Sequence, residues 1–269
     1  LSLAHEAAFP DTTATMIASN PKRRSGHARD GAQIRGIVAA VVLALAAGLV
    51  AACSDDPARR DILGSETKRY SQLDEELVIR DFFQDRREGV FLDVGCAWPR
   101  ADNNTYYLEA HLGWSGIAID ALTSYGPDWK KERPKSRFFS YLVSDHANVR
   151  ESFYRTGPTG LSSTQKNRVF MGRKLDDIEI EVETITLDIL LEREGIETVD
   201  FVSMDIEEHE PEALAGFDIE RWAPELVCVE ASPNTRLRLL EYFDAHGYER
   251  IERYIEHDQA NWYFTPKAR

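Results

Sequence analysis

Four aspartates, Asp93, Asp120, Asp145 and Asp205, each follow a short apolar run. Runs of this length read as buried strands. One carboxylate at a strand end is usually a turn or cap residue, but four at successive strand ends suit a ligand. Carboxylates accept hydrogen bonds and offset positive charge, so a matching ligand carries hydroxyls, amino groups and a cationic centre. Beyond Asp205 the chain continues Ile206-Glu207-Glu208-His209-Glu210. His209 can take a proton near neutral pH; equally, it can open a helix and bond a neighbouring carboxylate. Asp205, Glu207, His209 and Glu210 offer oxygen and imidazole ligands, but their spacing matches no recognised metal signature and no metal is assigned.

The elements that must position these residues alternate. Helical spacing of Tyr70, Leu73, Leu77, Val78 and Phe82 predicts a helix over 66–85. Strands are expected at 90–94, 116–119 and 137–143, with a helix over 105–112 between the first two, capped by Asn104 and stopped by Gly113. Residues 157–176, rich in Gly, Ser, Thr and Lys, read as a mobile loop containing Ser162 and Ser163. A half-exposed strand over 178–185 leads to a short helix capped by Thr186. A buried strand over 201–206, a helix begun by Pro211, a strand over 226–229 and a helix over 235–246 follow. Two last strands, about 249–256 and 261–265, can pair as a hairpin. Such alternation predicts an α/β fold, a mostly parallel sheet covered on both faces. Ligands bind such sheets beyond the carboxyl ends of the strands. Tyr106, Tyr107, Trp114 and Trp222 fall where aromatic residues usually build core.

Two stretches carry a family resemblance. Phe91-Leu92-Asp93-Val94-Gly95-Cys96-Ala97-Trp98-Pro99 resembles the first motif of FkbM-type methyltransferases, continued by residues 104–109 and 113–120. Val199-Asp200-Phe201-Val202-Ser203-Met204-Asp205-Ile206-Glu207 resembles the second, extended by His209-Glu210, Leu214 and Gly216-Phe217-Asp218. The resemblance implies a Rossmann-like class I methyltransferase fold with a C-terminal antiparallel hairpin, and S-adenosyl-L-methionine as cofactor. It implies that Gly95 lets the backbone approach the cofactor, that Asp93 and Asn104 lie near its amino-acid portion, that Asp120 holds the ribose hydroxyls and that Asp145 neighbours the adenine. Asp205 is expected near the methyl group and the acceptor, with Asp205 or His209 as the base. The acceptor class it implies is a hydroxyl on a sugar, glycan or secondary metabolite. Two positions depart from the family pattern: Pro99 and Glu208 stand where many members have Gly.

The chain of 269 residues has a formal charge of −14; residues 1–52 contribute +2, leaving −16 on the rest. So acidic a domain repels phosphate backbones, and no nucleic-acid partner is expected. Cys53, Cys96 and Cys228 form no metal or disulfide spacing, and the latter two read as buried thiols. Residues 1–36 form a polar, basic arm, 37–53 an apolar segment ending Val50-Ala51-Ala52-Cys53, and 54–65 a linker to a domain over 66–269. The apolar segment has the pattern of a secretory signal with a lipobox-like cysteine, or of a membrane anchor. An alternative follows: an exported lipoprotein retaining the fold as a non-catalytic binding module, since the cofactor is made in the cytoplasm. A start downstream of Met16 would instead leave a cytoplasmic enzyme.

Overall fold

Strand patterning divides the apolar residues between the two faces of one sheet. The computed structural model describes residues 59–156, 160–166, 169–170, 173–174 and 178–268. The expected arm, the apolar segment and residues 54–58 of the expected linker lie outside the described residues, as does part of the 157–176 loop. Among the described residues, no helix is long and apolar enough to cross a membrane.

The elements in chain order are α1 (Ile62–Ser65), α2 (Glu75–Phe83), β1 (Val90–Val94), α3 (Tyr106–Leu112), β2 (Ser115–Asp120), α4 (Gly126–Glu132), β3 (Ser136–Ser140), β4 (Leu142–Val143) and β5 (Arg150–Arg155). They continue with β6 (Val169–Phe170), β7 (Arg173–Lys174), β8 (Ile178–Ile185), α5 (Leu187–Arg193), β9 (Phe201–Met204), α6 (Glu210–Ala215), α7 (Ile219–Trp222), β10 (Leu226–Glu230), α8 (Arg236–Ala245), β11 (Tyr248–Arg250) and β12 (Asn261–Pro266). Seven strands form the main sheet in the order β11-β12-β10-β9-β1-β2-β3. β3, β2, β1, β9 and β10 run parallel, while β12 is antiparallel to both β10 and β11. The C-terminal hairpin is therefore present, and the sheet is the Rossmann-like class I methyltransferase arrangement.

Period-two alternation places Leu92, Val94, Val202, Met204, Val227 and Val229 in one core cluster. Phe91, Phe201, Leu226 and Cys228 belong to the other. Each such fully buried side chain contributes roughly 1.5–3 kcal/mol. The chain runs β1 to β2 to β3 toward one edge, then resumes with β9 on the other side of β1. That reversal makes the carboxyl ends of β1 and β9 the place for a ligand crevice.

Several elements differ from expectation. Residues 66–74 are not helical, because the Glu76 carboxylate draws the backbone N–H groups of Arg69 and Tyr70 into a loop at 3.2 and 2.9 Å. The expected linker instead supplies α1, capped by Asp61, with Ile62 fully buried. The third strand breaks at Tyr141, whose N–H donates to the Asp120 carbonyl, and β4 then pairs with β8 in a second, three-stranded sheet. β5, antiparallel to β8, has no counterpart in the sequence reading: it buries only Phe153. The strand expected at 249–256 is shortened to β11 by a 3-10 turn over Glu252–Tyr254, which sinks Tyr254 into the core.

Candidate active site

The loop after β1 is shaped by backbone that side chains rarely permit. Gly95 has φ +80°, and a Cβ there would lie 1.8 Å from the Asp205 carbonyl oxygen. The close approach that demands glycine is therefore to the chain's own β9 end, packed across the crevice. Ala97 follows with φ +40°. Its N–H donates to Asp120 Oδ2 at 3.1 Å, and its carbonyl accepts from Trp129 Nε1 at 2.8 Å. Asp120 Oδ1 accepts from the Leu122 N–H at 2.8 Å. The carboxyl at the end of β2 is thus clamped by two amides. Burial nevertheless raises it to about 6, with the amides opposing.

Beneath this loop lies a buried polar network centred on Arg133, which is 1% exposed. Arg133 donates from Nε to Glu109 at 2.8 Å, from Nη1 to the Pro99 carbonyl at 2.9 Å and Asn103 Oδ1 at 3.0 Å, and from Nη2 to Thr105 Oγ1 at 3.0 Å. Thr105 Oγ1 and Asn103 Nδ2 donate to Asp93 Oδ2 at 2.7 and 3.1 Å. Burial raises the Asp93 carboxyl despite these donors and the nearby Arg133 charge. Asn104, expected as a helix cap, instead donates to Ser203 Oγ at 3.1 Å, and α3 starts from Thr105 without a side-chain cap bond. Pro99 supplies only its carbonyl here, a role that glycine would fill equally. Arg133 carries no sequence signal: within Lys130-Lys131-Glu132-Arg133-Pro134-Lys135 it reads as one more solvated charge.

At the end of β9, Asp205, Glu210 and Glu230 bring carboxylate oxygens within 4.8 Å of one another. Asp205 is accessible to solvent, yet protein encloses the cavity it faces. Enclosure pushes its carboxyl well above the usual range, and repulsion from Glu230, Glu207 and Glu75 adds to this. Burial likewise raises Glu210 to about 8. Glu207 and Glu208 have φ +59° and +75°. Position 208 is thus a left-handed turn, which is why glycine suits it. The Glu208 carboxylate accepts from Gln165 Nε2 at 2.9 Å, Ser232 Oγ at 2.8 Å and Asn234 Nδ2 at 2.9 Å, tying two loops together. Ser163 Oγ donates to the Glu207 carbonyl at 3.1 Å, and Ser162 faces the cavity.

The cavity at these strand ends is narrow, with about 50 Å³ of free space. Gly95, Ala97, Asp120, Asp205 and Glu207 line it, with Tyr125, Leu142, Val143 and Phe153 as apolar and aromatic walls. Among the expected site residues it brings together Gly95, Asp120 and Asp205; Asp93 and Asn104 lie bonded beneath. Asp145 and His209 are not part of the lining. Asp145 is exposed and bonds His146 Nδ1 at 2.5 Å, which lowers its carboxyl and raises the imidazole. His209 lies 3.9 Å from Glu212, its Nε2 is buried without a hydrogen-bond partner, and burial lowers its proton affinity. Cys96 and Cys228 are buried free thiols, both pushed up by burial.

Sheet order and crevice together define a class I methyltransferase. The Methyltransferase FkbM domain matches residues 90–250, and the chain belongs to the FkbM methyltransferase family. It is a methyltransferase with S-adenosyl-L-methionine as its cofactor. No curated protein matches the sequence. Similar solved structures include a TehB-like SAM-dependent methyltransferase from Corynebacterium glutamicum, 14% identical, covering 77% of this chain and 94% of that one with a TM-score of 0.42. A SAM-dependent O-methyltransferase from Thermotoga maritima is 9% identical over 78% of this chain and 71% of that one, TM-score 0.40. A human methyltransferase 10 domain containing protein is 11% identical over 84% and 95%, TM-score 0.37. At such scores these likenesses decide nothing further about this chain.

Proposed function

We propose that the chain methylates a hydroxyl group on a sugar, glycan or secondary metabolite. The observation that carries this reading is that one cavity exposes both Asp120, at the end of β2, and Asp205, at the end of β9. The residues present suit the cofactor. With two amides on Asp120, one per oxygen, each oxygen keeps a lone pair for a ribose hydroxyl. Leu142, Val143 and Phe153 offer an apolar wall for the adenine, and Asp145 follows two residues after Val143, outside that lining. Gly95, and Asp93 and Asn104 beneath it, shape the floor under the amino-acid portion.

The cofactor, when bound, supplies an electrophilic methyl group on positively charged sulfur. Asp205 faces the same space, and its acidic neighbours complement that charge. Once ionised, Asp205 takes a hydroxyl proton more readily than an ordinary carboxylate, because burial and its acidic neighbours raise its proton affinity. His209, outside the lining, is second choice for that role. The protein's main task is alignment, holding the acceptor oxygen about 3 Å from the methyl carbon. The apolar segment over 37–53 would attach the domain to a membrane, a part of the proposal that rests on sequence pattern alone.

The test is incubation of the chain with S-adenosyl-L-methionine and a panel of hydroxyl-bearing sugars, glycans and small metabolites. The reading expects methyl ethers as products, with Asp205→Asn slowed by at least about 100-fold, the lower range for loss of a general base. Methylation at nitrogen or carbon, or an Asp205→Asn variant as fast as the parent, would overturn it.

A further inference from the structure

The loops after β1 and β2 meet the paired strands β5 and β8 at a groove beside the narrow cavity. Leu122 and Tyr125 line both, so the two adjoin. The groove has about 460 Å³ of free space, within the roughly 300–1,000 Å³ usual for small-ligand sites. Trp98, Ser124, Asp128, Arg155 and Ile178 complete its lining. A second groove, of about 390 Å³, shares Leu122, Ser124 and Arg155 with the first and continues along β5 and β8. Trp98 and Tyr125 form an aromatic wall, edge to face with ring centroids 6.0 Å apart. Gly160 braces it, since a Cβ there would stand 3.2 Å from the Trp98 ring. Ile178, 54% exposed, adds apolar surface.

The polar groups of the first groove are of both kinds: ionised, Arg155 only donates and Asp128 only accepts, while the Ser124 and Tyr125 hydroxyls do either. Among the described residues, none of these four side chains makes a hydrogen bond or an ion pair, and Arg155 and Asp128 do not pair with each other. Among the described side chains, Arg150 and Arg155 are the arginines with no ion pair, hydrogen bond or ring contact. Arg150 has Glu183 opposite it across the strand pair, whereas Arg155 has Ile178. We propose that this groove binds an uncharged sugar unit of an oligosaccharide acceptor, next to the unit whose hydroxyl is methylated. A sugar ring presents apolar C–H faces, which suit the aromatic wall. Its rim of hydroxyls both donates and accepts, and so can bridge a separated arginine and aspartate. A purely apolar molecule would cover Arg155 and Asp128 without giving them partners, which is costly. An acidic sugar is disfavoured, because Asp128, Glu181 and Glu183 outnumber Arg150 and Arg155 along the two grooves. The second groove gives the next units of the chain a path along β5 and β8. Methylation of the bound chain rests on the hydroxyl-acceptor reading; its binding does not.

The experiment is calorimetric titration of the full chain, with S-adenosyl-L-methionine present, using linear hexamers of glucose, mannose, N-acetylglucosamine and galacturonate, and each monosaccharide alone. Saturable binding of at least one uncharged hexamer is expected, at least tenfold tighter than of its monosaccharide. That binding should weaken at least tenfold in Arg155→Ala and in Trp98→Ala, with folding checked by circular dichroism. No saturable binding of any uncharged hexamer overturns the site, and so does a monosaccharide that binds as tightly as its hexamer. Tighter binding of the galacturonate hexamer, or a folded Arg155→Ala variant that binds like the parent, also overturns it. Should Trp98→Ala not fold, the exposed Arg155 decides alone. A chain that binds a hexamer through these residues but methylates no hydroxyl sinks the acceptor reading and leaves the groove standing. A chain that methylates a small alcohol and binds no hexamer does the reverse.

Discussion

Asp120 concentrates the residue-scale argument. Its carboxyl, raised to about 6 by burial, accepts ribose hydroxyls fully only when ionised. Ionisation is complete well above that value and is lost as pH falls through it, so cofactor affinity should be level near pH 8. Below about pH 6 it should fall by about tenfold per pH unit. Calorimetry across that window checks this, and a flat profile would remove Asp120 from the site. Glu208 gives a second prediction, because its backbone strain and its side-chain bonds act in opposite directions. Glu208→Ala keeps the left-handed φ of +75° and loses three hydrogen bonds. Glu208→Gly loses the bonds but relieves the strain, so denaturant unfolding should find it more stable than the alanine variant by about 1 kcal/mol. Asp120 and Asp205 were legible in the sequence because each ends an apolar run. Arg133 and Asn103 were not, since only the fold carries α3 and α4 to the β1 loop, and a buried arginine has the same spelling as a solvated one.

At the scale of elements, the site depends on the β1 loop and the β9 end touching. Gly95→Ala would force a Cβ to 1.8 Å from the Asp205 carbonyl at a φ of +80°. It should abolish cofactor binding and cost about 2 kcal/mol or more of stability, read by denaturant unfolding; a variant that binds normally would contradict the packing described. Arg133→Met leaves Glu109 buried without its partner and should cost about 3–5 kcal/mol. Arg133→Lys should not restore it, because one ammonium cannot make the four bonds of the guanidinium fork. The strands that line the crevice were readable because both faces of a central parallel strand are apolar. β5 was not, because it buries a single side chain, Phe153, in a stretch that also holds Arg150, Glu151 and Arg155. The expected helix over 66–85 was too long because spacing of apolar residues does not register a side chain such as Glu76 capturing backbone amides from the turn before it.

For the whole molecule, the charge of −16 beyond residue 52 is the property with the widest reach. It should keep the domain off nucleic acid at about 0.15 M salt, where phosphate binding requires clustered basic groups. Fluorescence anisotropy with single-stranded RNA and duplex DNA checks this, and salt-sensitive binding would contradict it. The same surplus of carboxylates reaches the crevice, where it suits a cationic cofactor. The central claim is that the crevice between β1, β2 and β9 is the cofactor site. Calorimetric titration of the chain with S-adenosyl-L-methionine tests it most directly. The account predicts one saturable site in the micromolar range, about −8 kcal/mol, weakened at least tenfold in a folded Asp120→Ala variant. No binding by the folded parent, or a variant that binds as tightly as the parent, would contradict it.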